Sequence, residues 1–408
     1  MTGKEFFTTF SVAEALEGFQ PRRRTGVETV PREEALGRVP ASPMISSGTL
    51  PGFARSTVDG YAVRAGDTYG ASDGLPAYLD LIGAVRMGVA ADVAVRTATA
   101  VQIPTGAVIP SDADAVVMVE HTQVTMPDVI EVTRPAAVGE GIVRADEDVA
   151  VGAEIAPAGR SLRAQDLGLL AAAGVTDVEV RARPRVAIIS TGDEVVPPST
   201  QQLSPGQVRD ATASALAALV TEAGGEPSLR GIVPDDVGAL TKTLESALQD
   251  CDLVVVSAGS SVGARDETTA AVESLGEPGI YCHGLAVKPG KPTLLAECSD
   301  VPVIGLPGNP LSALVVFRLI GLPVLRLVGG IAVVPAEPTT TATLSRAVAS
   351  AAGRLDVVQV QVQDGVATPL FGFSALLSLL TSADGYVVVP EAATGLDTGT
   401  AVTVTMYR

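Results

Sequence analysis

Half of this chain's lysines fall inside one pentapeptide. Only Lys4, Lys242, Lys288 and Lys291 occur in 408 residues, and Lys288-Pro289-Gly290-Lys291-Pro292 carries two of them on a stiffened backbone. Two ammonium groups held close together repel unless an anion shares the space, so the loop reads as an anion site more readily than as a solvated turn. It is not a Walker A loop. Gly284 to Gly290 is one residue too long, and Lys291 is followed by proline instead of Ser/Thr and a helix. Three further Gly/Pro-rich loops follow short apolar runs: Ser190-Thr191-Gly192-Asp193-Glu194, Ser257 to Gly263, and Leu306-Pro307-Gly308-Asn309-Pro310. Any one of them could be an ordinary turn. Four at one sheet edge point to a ligand.

Gly259-Ser260-Ser261-Val262-Gly263 fits G-x-S-x-G, which raises a serine hydrolase with Ser261 as nucleophile. The only histidine downstream is His283, which arrives before the lysine loop and too early for an α/β-hydrolase base. A backbone N–H cradle with two hydroxyls at a helix start, suited to a phosphate, is the preferred reading. The candidate acids are Asp59, Asp148, Glu194, Asp235 and Asp266. Each also has a structural explanation. Asp59-Gly60 is a favoured hairpin turn, Asp235 and Asp266 could be helix N-caps, and Asp193-Glu194 could be a solvated turn. Brought together, such carboxylates could instead hold Mg²⁺ against a phosphate.

Several elements would have to position these residues. From Arg185 to about Gly330, apolar runs such as Val186-Ala187-Ile188-Ile189 and Leu253-Val254-Val255-Val256 alternate with helical spacings such as Leu240, Leu244 and Leu248. That rhythm predicts a parallel-rich sheet covered by helices, with ligands at the carboxyl ends of its strands. Residues 10–45 read as helical behind a Ser11 cap, and 140–183 regain helical periodicity through Leu162, Leu167 and Leu170. Residues 51–139 and the last 75 or so carry the short alternating runs of β modules. The expected class is therefore multidomain α/β. Residues 1–50 and 140–183 would form a discontinuous helical linker, 51–139 an inserted β domain, 184–330 the α/β domain and 331–408 a C-terminal β barrel.

Composition removes other classes. Apolar residues make up 47% of the chain and charged residues 18%, the reverse of a disordered protein. A net charge of −18 argues against binding nucleic acid, so positive charge for an anionic ligand must be concentrated locally. Three cysteines without C-x-x-C spacing and two histidines offer little for disulfides, structural zinc or a triad. The N-terminus lacks a signal-peptide pattern. Val301 to Val334 is broken by Pro307, Gly308, Pro310, Arg318, Pro323 and Arg326, so no membrane span is expected. A cytoplasmic location is the expectation.

The residues resemble a known family, molybdopterin molybdenumtransferase (MoeA), related to the E domains of gephyrin and plant Cnx proteins. The likeness runs nearly end to end: Asp59-Gly60-Tyr61-Ala62-Val63, Pro104-Thr105-Gly106-Ala107, Ala113 to Val117, Ser190 to Glu194, Ser261-Val262-Gly263 with Asp266, Lys288 to Pro292, Gly305 to Pro310 and Gly353-Arg354-Leu355-Asp356. The resemblance implies an elongated four-part subunit and a homodimer, with the site between the α/β domain of one copy and the inserted domain of the other. It also implies that adenylylated molybdopterin and molybdate are substrates, that AMP is released, that Mg²⁺ is required, and that a molybdopterin adenylyltransferase is the candidate partner. Ser261, Gly263, Lys288, Lys291, Pro307, Asn309 and Pro310 would hold the pterin phosphate and nucleotide. Asp59, Thr105, Asp148, Glu194, Asp235 and Asp266 would be catalytic, with Glu194 and Asp266 on the metal. Arg354 and Ser374 would hold molybdate.

Three positions depart from the family pattern. Asp146-Glu147-Asp148 replaces Gly-Glu-Asp, Ala258-Gly259 replaces Gly-Gly, and Asp210-Ala211-Thr212 lacks the usual asparagine. A tungstate-inserting paralogue and a non-catalytic pterin-binding scaffold are the alternative readings.

Overall fold

The computed structural model describes residues 9–257, 262–332 and 336–407, excluding the side chains of 262–266. Its central sheet has six strands in the order Glu226–Val233, Arg185–Thr191, Leu253–Ser257, Val301–Leu306, Leu294–Cys298 and Pro278–His283. The first four are mutually parallel, whereas Leu294–Cys298 runs antiparallel to both neighbours. The sheet is thus parallel-rich but mixed. The reversal comes from a two-residue turn, Ser299-Asp300, with both residues at positive φ (51° and 64°). That left-handed pair suits the twist of an antiparallel hairpin. Because this strand runs backwards, Leu294 pairs with Gly305 near the carboxyl end of Val301–Leu306. The lysine loop therefore arrives at the same edge as the other three loops.

Helices Ala211–Glu222 and Val237–Asp250 pack on this sheet, burying Leu216 and Val220 in one core and Leu240, Leu244 and Ala247 in the other. The second is capped by Asp236, whose side chain accepts from the Ala239 N–H. Asp235 is not the cap. Asp266 is not an N-cap either, because it lies inside helix Val262–Glu273.

The apolar run after Asn309 differs from its expectation. Proline and arginine do not break it: Pro310–Val328 is one apolar helical stretch of 19 residues, most of it buried inside the fold. A π turn at Phe317–Gly321 comes just ahead of Pro323 and relaxes the turn that the proline ring would strain. By length and composition it could cross a membrane. Its burial, including Phe317 and Ile320 at 0% exposure, identifies a core helix.

The C-terminal residues form a closed five-stranded ring. It runs Leu355–Gln363, Val366–Pro369, Thr339–Leu344, Ala401–Met406, Gly385–Val389 and back to the first. A short strand from the lysine loop, Val287–Lys288, adds to the ring's first strand in parallel, with Lys288 opposite Asp356. The inserted residues form another six-stranded sheet. Its order is Ala115–Met118, Gly60–Val63, Thr99–Ile103, Ala77–Ala84, Val129–Val132 and Thr122–Met126.

The region expected to be a helical linker has less helix than its periodicity suggested. Ser11 caps helix Val12–Gly18 in a capping box with Glu14, worth about 1 kcal/mol. The helix then stops, and Val27–Pro31 pairs with Asp177–Arg181. Within 140–183 only Ala164–Ala172 is α-helical. Leu162, Leu170, Val178 and Val180 do share a core. The apolar spacing reported burial correctly, but much of that burial belongs to strands and turns.

Candidate functional site

A cleft of about 790 Å³ opens where the edge loops of the central sheet meet the barrel. Lys288, Lys291, Pro307, Asn309, Arg354 and Ser374 all line it. The loop backbone is closed on itself and tied to the barrel. Leu285 N–H donates to the Lys291 carbonyl, and Leu355 N–H donates to the Ala286 carbonyl. Gly290 is essential to that path. It has φ 125°, and a Cβ there would lie 2.3 Å from Val316 Cγ2 on the buried helix.

Asn309 stands at the N-terminus of the core helix, with Pro310 at the first helical positions. Its amide does not cap the helix. Instead Asn309 Nδ2 donates to Ser374 Oγ at 3.1 Å, and the Leu311 N–H donates to the Ser374 carbonyl at 3.3 Å. A residue of the barrel loop is thereby fixed at a helix N-terminus, where N–H groups and the helix dipole favour an anion.

Asp356 is a member of this site to which sequence reasoning assigned no role. Its carboxylate, buried at 3% exposure, accepts from Arg354 Nε at 2.8 Å and Nη2 at 3.3 Å, with Lys288 Nζ at 3.8 Å. The signal was an acid at the start of an otherwise apolar strand, Leu355-Asp356-Val357-Val358. Lys291 has no ion pair among the described residues. Among the described residues the cleft is therefore lined by three cations and one carboxylate, a local positive excess in a chain of net charge −18.

Among the described residues, the candidate acids Asp59, Asp148, Glu194 and Asp235 do not line this cleft; they form separate groups. Asp59 and Thr105 meet on the inserted sheet, where Asp59 Oδ1 accepts from the Thr105 N–H at 2.8 Å. Asp59-Gly60 is not a hairpin turn. Gly60 begins a strand flanked by Thr99–Ile103 and Ala115–Met118, and a Cβ there would sit 1.9 Å from the Val117 carbonyl oxygen. The glycine is required by close approach, and Asp59 is exposed beside a hollow of about 390 Å³. Asp148 is exposed, with its N–H bonded to the Leu50 carbonyl. Asp146, where the family pattern has glycine, has φ 66°. Aspartate is among the non-glycine residues that tolerate that conformation best.

Glu194 and Asp235 gather at the sheet edge with Asp193, whose Oδ1 accepts from the Asp235 N–H at 3.3 Å. Gly192 lacks a Cβ that would crowd Glu194 Oε2 at 2.8 Å. Asp235 Oδ1 is buried without a hydrogen-bond partner among the described residues. Burial, reinforced by the charges of Asp193 and Glu194, raises the Asp235 pKa above the usual carboxylate value. An orphaned oxygen among repelling acids suits a hydrated divalent cation with few protein ligands, as Mg²⁺ binds. Among the described residues, however, no group of three or more His, Cys, Asp or Glu has the closeness of a complete metal site. Ser261 lies outside the described residues, as does the side chain of Asp266. Gly263 belongs to helix Val262–Glu273.

Comparison with known proteins covers the whole architecture. Residues 10–174 match the MoeA N-terminal region (domains I and II), 187–327 the probable molybdopterin binding domain, and 341–407 the MoeA C-terminal region (domain IV). The chain is 34% identical over 379 residues to molybdopterin molybdenumtransferase 2 of Mycobacterium tuberculosis, covering 91% of this chain and 93% of that one. It is 31% identical over 398 residues to the molybdopterin molybdenumtransferase of Bacillus subtilis, covering 96% and 91%. A crystal structure of the molybdopterin biosynthesis MoeA protein from Pyrococcus horikoshii aligns with a TM-score of 0.85 at 32% identity, covering 98% of this chain and all of that one.

Proposed function

Because the chain belongs to the MoeA family of molybdopterin molybdenumtransferases, enzymes of molybdenum cofactor biosynthesis, we propose that it inserts molybdate into adenylylated molybdopterin and releases AMP. The observation that carries this reading is the cleft with Lys288, Lys291 and Arg354 on its walls in a strongly acidic chain. Its cations, the Asn309 and Ser374 donors and the helix N-terminus suit a tetrahedral oxyanion beside a phosphate.

In the proposed reaction water attacks one phosphorus of the phosphoanhydride. The bridging P–O bond breaks, AMP leaves, and the pterin retains one phosphate. Catalysis is positioning plus neutralisation of developing charge. Lys288, Lys291 and Ser261 with its loop hold the phosphates. Arg354 and Ser374 orient molybdate. A divalent cation would be held by Glu194, Asp235 and Asp266, and it would supply charge neutralisation on the phosphoanhydride. Asp59, Thr105 and Asp148 do not line the cleft of their own chain, which supports a homodimer in which a second copy offers these residues.

The test is AMP release and metal-loaded cofactor from purified protein given adenylylated molybdopterin, Mg²⁺ and molybdate, with tungstate in a parallel arm. The reaction should need both the oxyanion and Mg²⁺. Pterin binding without AMP release would instead support a non-catalytic scaffold, and preference for tungstate would reassign the metal.

A further inference from the structure

The chain has no tryptophan, six tyrosines and eight phenylalanines. Two of those phenylalanines flank a single glycine in Phe371-Gly372-Phe373, and both line the cleft. They are also among its most exposed large apolar side chains, Phe371 at 58% and Phe373 at 83%. Their loop is not simply loose. Leu370 N–H donates to the Gln359 carbonyl, Leu376 N–H donates to the Phe373 carbonyl, and Ser374 is tied to Asn309. Gly372 presses against Leu379, so closely that a Cβ would come within 2.6 Å of its Cδ1. The glycine therefore packs inward, and the aromatic rings on either side remain outside.

One side of the cleft thus offers cations, and its barrel loop offers exposed aromatic surface. A ligand complementary to both carries a phosphate and, a short tether away, a flat ring whose face gains from leaving water. We propose that Phe371 and Phe373 are a stacking platform for a heteroaromatic ring of the phosphorylated substrate. This rests on the reading of the cleft as the substrate site. A platform of this kind reads flatness, since aromatic stacking tolerates any base-like ring. Adenine and pterin share that chemistry, and both belong to the proposed substrate.

The experiment measures binding of three probes by calorimetry: AMP, ribose 5-phosphate, which has the phosphate without the ring, and a 6-substituted pterin without phosphate. For Phe373→Ala, affinity for the ring-bearing probe that occupies the platform should fall about 5- to 150-fold. Ribose 5-phosphate should bind as before, and Phe373→Tyr should restore affinity. Loss for AMP assigns the ring as adenine; loss for the pterin assigns it as pterin. Unchanged binding of both by Phe373→Ala and by the Phe371→Ala/Phe373→Ala pair overturns the platform while leaving the anion cleft standing. Wild-type protein that binds none of the three probes overturns both. Sedimentation of the same variants adds a further check: dissociation into monomers with ring binding intact would make these residues a contact between copies, which also overturns the proposal.

Discussion

Gly290→Ala tests how the lysine loop is held. Two independent costs arise. At φ 125° an L-residue occupies a region used almost only by glycine, a strain of about 1–3 kcal/mol. The added Cβ would also stand 2.3 Å from Val316 Cγ2 and 3.2 Å from Val287 Cγ1. Val316 is fully buried on the core helix, so it cannot swing aside, and overpacking of this kind costs about another 1–3 kcal/mol. The expected loss is about 2–6 kcal/mol, in stability or in displacement of the loop that carries Lys288 and Lys291. Urea denaturation followed by circular dichroism reads the first, and calorimetric AMP binding reads the second. Val316→Ala removes the obstructing methyl groups. The double variant should recover the steric part but not the φ strain, giving a favourable coupling of about 1–3 kcal/mol. Wild-type stability and AMP affinity in Gly290→Ala would refute the argument, and strictly additive effects in the double variant would remove its steric half.

The remaining predictions concern other parts of the chain. Asp166 is buried beneath the Arg160 fork, with Arg163 also bonded to it, and those contacts hold its carboxyl well below the usual range. A depressed folded-state value means that the contribution is present above the ordinary carboxylate pKa and is lost as pH falls through the folded value. Asp166→Ala should therefore cost about 3 kcal/mol near neutral pH, and the gap from wild type should narrow on acidification in urea titrations. Gly60→Ala drives a Cβ into the Val117 carbonyl within a central strand; a loss of about 1–3 kcal/mol and a displaced Asp59 should appear as a lower denaturation midpoint with reduced AMP release. Asp235→Asn removes one of three crowded carboxylates. Thermal melts should show higher stability without divalent cation and a smaller gain on adding Mg²⁺, and an undiminished Mg²⁺ gain would exclude Asp235 from the cation's surroundings.

How much of this was legible in the sequence depended on whether a signal was local. The strands Arg185–Thr191 and Leu253–Ser257 and the helix Val237–Asp250 followed directly from apolar periodicity. The apolar run Thr293 to Ala296 also marked a strand, Leu294–Cys298, but its reversed direction was not legible, because its turn signal is the modest pair Ser299-Asp300 rather than Asn-Gly. Asp59-Gly60 carried a true local signal with the wrong cause, since the glycine answers to Val117, nearly sixty residues away. The linker misled for a related reason. Apolar spacing in 10–45 and 140–183 records which residues are buried, while pairing between Val27–Pro31 and Asp177–Arg181 is a long-range choice. The lysine loop was legible because lysine is so scarce here; its pairing with the barrel was not.

That pairing explains why a carboxylate sits inside the cation-lined cleft proposed to bind an anionic substrate. Three cations crowded together without a ligand would repel one another and disperse into solvent. Asp356, fixed opposite Lys288 by the parallel ladder, gives Lys288 and Arg354 a common counter-charge, while Lys291 has no ion pair among the described residues. Asp356 takes only two of Arg354's N–H groups, at Nε and Nη2, and leaves the rest of the guanidinium fork for a ligand. Lys288 is held more loosely at 3.8 Å, with its side chain 59% exposed, so an incoming phosphate can draw it away at small cost. A buried carboxylate here therefore preserves the arrangement between turnovers without filling it. Because the ladder joins Asp356 in the barrel to Lys288 in the sheet-edge loop, the charge pattern of the cleft exists only while the two units are docked.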